Sequence, residues 1–167
     1  MKTPDRQKYR ILVVDDEPSV SRAIKMLLKF DGHEVQTVES GEAALALLEQ
    51  HVFDLIITDY SLGLGGMKGN QLAATIKQRW PGLPVIMATA FAADFQPTGQ
   101  PSGGVDCVLS KPFSQLELRE AIARVMTLKA SQPFSSDPSD STLDPTKVPP
   151  PDVPPPTYPR ESSPGRM

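Results

Sequence analysis

The chain has 167 residues, a formal net charge of -3 at pH 7, and 39% hydrophobic and 22% charged residues. That length accommodates one ordinary domain with residues to spare, and so small a net charge favours neither a nucleic-acid nor a membrane-surface partner. Basic and aromatic residues do not alternate in any stripe, which also disfavours nucleic-acid binding.

The spare residues lie at the C-terminal end. Eleven of the 18 prolines follow Ala130, in a stretch with few large apolar side chains. Such a stretch cannot bury enough surface to offset the entropy of ordering it, so residues 130 to 167 are predicted to be a disordered, Pro-rich tail. Residues 1 to 7 are predicted to be a flexible N-terminus, and residues 8 to 129 one folded domain.

The N-terminus and the cysteine content indicate a reducing compartment. No apolar stretch of signal-peptide length opens the chain, and no run of about 18 apolar residues occurs in it. The one cysteine, Cys107, lies in an apolar run, where a small core residue is expected and no intramolecular disulfide can form. A soluble, cytoplasmic protein is therefore expected.

Short apolar runs alternate with helical patterns along the domain. Five runs predict β-strands, at residues 11 to 14, 35 to 38, 55 to 58, 85 to 88 and 105 to 109. Four amphipathic or capped segments predict helices: Pro18 to about Asp31, a Ser40-capped segment to Gln50, about Asn70 to Trp80, and a segment opened by a Ser114–Glu117 capping box.

The fourth connection departs from this alternation. Pro97, Gly99, Pro101, Gly103 and Gly104 make a full helix unfavourable. Residues 91 to 104 are therefore predicted to be a mobile loop with at most one helical turn, in place of a fourth helix. Right-handed βαβ connections still predict an α/β fold, a doubly wound, flavodoxin-like sheet of five parallel strands in the order 2-1-3-4-5.

Charged and hydroxyl side chains follow the strands at their carboxyl ends. Asp15 and Asp16 close the first strand, Asp59 closes the third, and Thr89 and Lys111 follow the fourth and fifth. Because ligand sites of parallel sheets lie outside these ends, three carboxylates, a hydroxyl and an ammonium are expected at one edge. Hard oxygen ligands suit Mg²⁺. With a metal ion and a lysine to absorb negative charge, a carboxylate can attack a phosphoryl group.

The segments ILVVDDE, FDLIITDYSL, VIMATA and VLSKPF occur in that order along the chain. Together they resemble the receiver domain of two-component response regulators, over about residues 10 to 128. The resemblance implies that Asp59 is the phosphoacceptor, that Lys111 senses the phosphate and that Thr89 carries the switch hydroxyl. It also implies a cis bond between Lys111 and Pro112, where sequence alone leaves trans the default.

The same resemblance implies Mg²⁺ as the cofactor. Its ligands would be Asp16 and Asp59 directly, Asp15 mainly through water, and the backbone carbonyl of Ser61. The implied phosphodonor is a sensor histidine kinase or a histidine phosphotransfer protein, and the output is binding of an unidentified downstream protein. The chain is expected to be a phosphoacceptor rather than an enzyme, apart from catalysing its own phosphotransfer and dephosphorylation. Because no second folded domain is predicted, no DNA-binding or enzymatic output is expected.

The family pattern is not followed everywhere. Leu62–Gly63 stand where a hydrophobic residue and a proline are usual, and Gly69 comes late, which predicts a longer loop after Asp59. Val108 stands three residues before Lys111, where many members carry an aromatic switch residue. A relay from threonine to an aromatic side chain is therefore not expected.

Three alternatives remain. An aspartate-nucleophile phosphatase of the haloacid-dehalogenase type would place a second aspartate two residues after the nucleophile, which both Asp16 and Asp59 lack. A flavodoxin needs a Ser/Thr/Gly phosphate loop after the first strand, where the acidic residues 15 to 17 would repel the phosphate. A pseudo-receiver would be a phosphorylation-independent protein-binding module, but its acidic cluster is normally eroded, whereas all five positions are intact here.

Overall fold

The computed structural model describes residues 7 to 63, 65 to 90 and 102 to 131. In that part of the chain, five strands alternate with four helices. The strands are β1 (Arg10–Val14), β2 (Glu34–Val38), β3 (Leu55–Asp59), β4 (Val85–Thr89) and β5 (Cys107–Ser110). The helices are α1 (Pro18–Phe30), α2 (Gly41–Gln50), α3 (Gly69–Arg79) and α4 (Gln115–Ser131), and Ser102–Gly104 form a short 3-10 turn.

The five strands form one parallel sheet in the order β2-β1-β3-β4-β5, which confirms the predicted flavodoxin-like fold. The register keeps the carboxyl ends of the strands level, through the pairs Val14–Thr58, Asp59–Ala88 and Thr89–Ser110. Residues that end these strands, or directly follow them, therefore share one edge of the sheet.

Both faces of the sheet are buried. In β1, Ile11 and Val13 belong to the core that α1 and α4 cover, whereas Leu12 and Val14 belong to the core that α2 and α3 cover. Side chains alternate between the faces of a strand, so a strand covered on both sides must be apolar at every position. This explains why the central strands β1, β3 and β4 are nearly continuous apolar runs, whereas the edge strand β2 mixes apolar and polar residues.

Two of the helices begin with side chains that accept hydrogen bonds from backbone N–H groups of the first turn. The Ser40 side chain accepts a hydrogen bond from the N–H of Ala43 at 3.2 Å, which caps α2 as predicted. Before α4, Ser114 and Glu117 form the predicted capping box: the N–H of Ser114 donates to Glu117 Oε2 at 2.7 Å, and the N–H of Glu117 donates to Ser114 Oγ at 3.2 Å. Local sequence signals thus determine these two starts.

The fifth strand begins later than predicted. Val105 is buried, but it packs in the core beneath α2 and α3, and the ladder starts only at Cys107. Asp106 separates the two because its carboxylate accepts the N–H of Val85 at 2.7 Å and pairs with Lys77 Nζ at 2.7 Å. The apolar run therefore consists of one buried core residue, Val105, followed after Asp106 by the strand.

The turn before β5 lies directly against α3. Gly104 has a φ of +85°, and a Cβ at this position would lie 2.7 Å from the carbonyl oxygen of Ala73. Glycine alone meets both conditions, since it tolerates positive φ and has no Cβ. The rest of the predicted loop, residues 91 to 101, lies outside the described residues, as do residues 1 to 6 and the tail from residue 132. Helix α4 continues to Ser131, beyond the predicted domain boundary at residue 129.

Two further predictions concern single features. Cys107 packs against the core under α1 and α4, as predicted, and burial raises the pKa of its thiol. The Lys111–Pro112 peptide bond is cis, as the resemblance implied. Over the described ranges of the chain, no helix is long and apolar enough to cross a membrane.

Candidate functional site

The predicted site residues lie at the carboxyl edge of the sheet. Asp15 directly follows β1, and Asp59 is the last residue of β3. Thr89 is the last residue of β4, and Lys111 directly follows β5. The strand order makes β1, β3, β4 and β5 consecutive neighbours, so four residues far apart in sequence meet along one edge.

Lys111 stands at the centre of this group. Its Nζ lies 2.7 Å from Asp15 Oδ2 and 3.2 Å from Asp59 Oδ1. The exposed fractions of the three side chains are 3% for Asp15, 16% for Asp59 and 20% for Lys111, so the ion pairs are largely shielded from water. One ammonium thus holds two carboxylates from different strands close together.

The neighbouring carboxylates raise the pKa of Lys111. Partial burial by itself lowers the pKa of the ammonium, but the hydrogen bond and charge of Asp15, together with the charge of Asp59, outweigh burial and raise that pKa above its ordinary value. Lys111 is therefore firmly protonated at neutral pH. It supplies a fixed positive charge at the edge where the two carboxylates meet.

Each of these carboxylates also accepts a backbone N–H. Asp15 Oδ1 accepts the N–H of Glu17 at 3.0 Å, in the turn that leads into α1. Asp59 Oδ2 accepts the N–H of Ser61 at 3.3 Å, a longer and weaker bond. Asp15 is consequently the more tightly held of the two, and Asp59 the more accessible one.

Thr89 is 1% exposed, and its carbonyl oxygen accepts the N–H of Lys111 at 2.9 Å. This backbone bond extends the pairing of β4 with β5 by one residue past Ser110. It keeps the backbone of Lys111 beside the end of β4. The backbones of Thr89 and Lys111 are therefore adjacent, as the sequence predicted.

Asp16 takes a different position from Asp15. It is exposed, and its Oδ2 lies 3.7 Å from the place that a Cβ on Gly63 would occupy. Lys111 thus brings together two of the three predicted carboxylates, and the described residues contain no cluster of three acidic, His or Cys side chains arranged for a metal ion. The available donors are still hard carboxylate oxygens on neighbouring strand ends, which suit Mg²⁺ because it uses one or two carboxylates and several waters.

The loop after Asp59 contributes contacts that the sequence did not reveal. A Cβ on Gly69, the first residue of α3, would overlap the carbonyl oxygen of Asp59. The N–H of Gly69 also donates to the carbonyl oxygen of Tyr60 at 2.8 Å. The start of α3 therefore rests directly on the end of β3. The sequence singled out Gly69 only by its late position in the family pattern, and that position did not reveal what the glycine contacts.

Known proteins resemble this chain in sequence over most of the described domain. The model of the response regulator receiver domain matches residues 11 to 123. The response regulator protein FleR of Pseudomonas aeruginosa is 36% identical over 115 residues, which are 69% of this chain and 24% of FleR. The transcriptional regulatory protein TcrA of Mycobacterium tuberculosis is 33% identical over 141 residues, 82% of this chain and 54% of TcrA. The chain thus spans about a quarter and about half of the lengths of these two relatives.

Solved structures give the same result. The response regulator TrrA of Thermotoga maritima, in complex with Mg²⁺ and BeF, is 32% identical with a TM-score of 0.63, over 70% of this chain and 97% of TrrA. A CheY-like receiver domain protein of Methanospirillum hungatei is 28% identical with a TM-score of 0.66, over 74% of this chain and 98% of that protein. By its sequence, its strand order and these likenesses, the chain belongs to the receiver domain family of two-component response regulators.

Proposed function

We propose that this receiver domain accepts a phosphoryl group on Asp59 and thereby switches the binding of a downstream protein. The donor is a phosphohistidine of a sensor histidine kinase or of a histidine phosphotransfer protein, and the reaction takes place in the cytoplasm. The domain is a phosphoacceptor that assists its own phosphorylation and dephosphorylation rather than an enzyme with a separate substrate.

The observation that carries this proposal is the position of Lys111. Its Nζ contacts both Asp15 and Asp59, and it is the cation at an edge where carboxylates would otherwise repel one another. Asp59 suits the role of acceptor better than Asp15, because its side chain is more exposed and its second oxygen accepts only a long hydrogen bond. A phosphoryl group can therefore approach Asp59 from solvent.

The proposed transfer forms a P–O bond and breaks a P–N bond. An oxygen of the Asp59 carboxylate attacks phosphorus in line with the histidine nitrogen, and the electron pair of the P–N bond returns to the ring. In the acyl phosphate, Lys111 would pair with a phosphoryl oxygen instead of the carboxylate oxygen that it contacts now. Thr89, at the end of β4, would donate its hydroxyl hydrogen to a phosphoryl oxygen.

Asp16 and Asp59 would hold Mg²⁺ directly, Asp15 through water, and Ser61 through its backbone carbonyl. Bound there, the metal ion would offset the charge of the acidic residues and of the incoming phosphoryl group. The TrrA relative was crystallised with Mg²⁺ and BeF, which supports the assignment of this metal. Titrating Mg²⁺ into Asp15→Asn and Asp16→Asn tests whether Asp16 contributes more to metal binding than Asp15. We expect the larger loss of affinity for Asp16→Asn, and a larger loss for Asp15→Asn would contradict the ranking.

The acceptor itself is tested by labelling. The whole chain is incubated with Mg²⁺ and acetyl phosphate, and mass spectrometry locates a base-labile phosphate. We expect labelling of the wild type and none of Asp59→Asn. Asp54→Asn is the matched control, since Asp54 precedes the same strand and contacts Arg10 at its opposite end. Equal labelling of Asp59→Asn and wild type would refute the assignment, and an unlabelled wild type would favour the pseudo-receiver alternative.

A further inference from the structure

The loop between β3 and α3 is fastened to the first turn of α2. The backbone N–H of Met67 donates a hydrogen bond to Glu42 Oε1 at 3.2 Å. The side chain of Met67 lies over Gly41, where an added Cβ would be 3.2 Å from both Cβ and Sδ of Met67. One residue of the loop is thus held twice, by a backbone hydrogen bond and by a side-chain contact that a larger residue at Gly41 would disturb.

The other side of this attachment reaches the proposed phosphoacceptor. Met67 is two residues before Gly69, which packs on the carbonyl oxygen of Asp59 and donates to that of Tyr60. At the beginning of the loop, Leu62 is 4% exposed and belongs to the core under α2 and α3. Met67 thus leads from α2 to Gly69 and the end of β3 within two residues, and Leu62 anchors the other end of the loop in the core.

Glu42 is well suited to hold the loop. It lies in the first turn of α2, where the helix dipole stabilises a negative charge. Within residues 7 to 63, 65 to 90 and 102 to 131, no Lys or Arg is paired with Glu42. Its carboxylate is thus left for the N–H of Met67, and a hydrogen bond to an ionised acceptor is stronger than one between neutral groups.

We propose that Glu42 is a positioning residue for phosphorylation of this domain. Among the described residues, Glu42 has no ion pair with Lys111 and no hydrogen bond to Asp59, and it acts by holding Met67 so that Gly69 supports the end of β3. The inference rests on the proposed function. It adds that α2, through its first turn, controls how well the acceptor carboxylate is aligned.

The test uses the whole chain with Glu42→Ala, in which the acceptor is lost, and Glu42→Gln, in which an uncharged acceptor oxygen is kept. Glu49→Ala is the matched control, because Glu49 lies on the same helix but pairs with Arg79. With acetyl phosphate and Mg²⁺, we expect Glu42→Ala to lower the maximal labelling rate about tenfold, since small displacements of a reacting group reduce rate steeply. The half-saturating acetyl phosphate concentration should stay nearly constant, and Glu42→Gln should recover most of the rate.

A second measurement needs no phosphodonor. Amide exchange at Met67 and the NMR shift of the Ser61 amide, which donates to Asp59, report on the loop and on the acceptor. Glu42→Ala should speed amide exchange at Met67 and change the NMR shift of the Ser61 amide. Glu49→Ala should leave both unchanged. Unchanged exchange, shift or labelling rate in Glu42→Ala would overturn the proposal. An unlabelled wild type whose Ser61 shift still responds to Glu42→Ala would instead overturn the function and retain the positioning role.

Discussion

Replacing Lys111 with methionine removes the ammonium that contacts Asp15 and Asp59 and keeps a side chain of similar length. Breaking a buried ion pair costs about 3 to 5 kcal/mol, and breaking an exposed pair costs about 0 to 1 kcal/mol. Lys111 is 20% exposed and Asp15 only 3%, so this site lies nearer to the buried case. We expect the free energy of unfolding of Lys111→Met to be lower by about 2 to 3 kcal/mol near neutral pH without metal.

Urea unfolding followed by circular dichroism measures this difference. Lys129→Met is the control, because Lys129 is exposed and has no ion pair within the described part of the chain. Saturating Mg²⁺ should restore more stability to Lys111→Met than to the wild type, since it supplies the missing positive charge. If Lys111→Met without metal were as stable as the wild type, the reasoning about shielded carboxylates would be refuted.

Lys111→Met also tests how the stabilising effect of the Lys111 ammonium depends on pH. Because the pKa of Lys111 is raised above its ordinary value of 10.5, its protonated form stabilises the fold fully below that pH. This contribution is lost as the pH rises through the raised pKa. The stability difference between wild type and Lys111→Met should therefore be constant near neutral pH and shrink in strong alkali. A difference that grew with alkaline pH would contradict the assigned direction.

Three further substitutions test other contacts. Gly69→Ala should lower the free energy of unfolding by about 1 to 3 kcal/mol, because its Cβ would overlap the carbonyl oxygen of Asp59. Arg119→Met should lower the melting temperature, since it removes the guanidinium that binds both carboxylate oxygens of the buried Asp31. Gly104→Ala should destabilise by at least about 2 kcal/mol, because it combines a positive φ with a clash against α3.

Substitutions at two other glycines separate backbone strain from steric overlap. Gly32 has a φ of +91° but open space around its Cβ position, so Gly32→Ala isolates the backbone strain. Gly82 has open space and no positive φ, so Gly82→Ala should be neutral or slightly stabilising. Equal effects for Gly69→Ala and Gly82→Ala would show that the contact beneath Asp59 is not needed.

The sequence by itself determined the order and type of most elements and the edge that carries the site. Apolar runs, helical periodicity and the caps at Ser40 and Ser114 are local signals, because each involves residues close together in sequence. The rule that ligands bind beyond the carboxyl ends of parallel strands then located Asp15, Asp59 and Lys111 at one edge. The start of β5 was misjudged because burial of Val105 comes from packing under α3 rather than from strand pairing.

Only the tertiary structure decided which of these side chains meet. Lys111 contacts Asp15 and Asp59, whereas Asp16, adjacent in sequence to Asp15, remains exposed. Neither the contact of Gly69 with Asp59 nor the hydrogen bond from Met67 to Glu42 follows from periodicity. Periodicity specifies the face on which a residue lies, but the direction of a side chain and the path of a loop depend on residues distant in sequence.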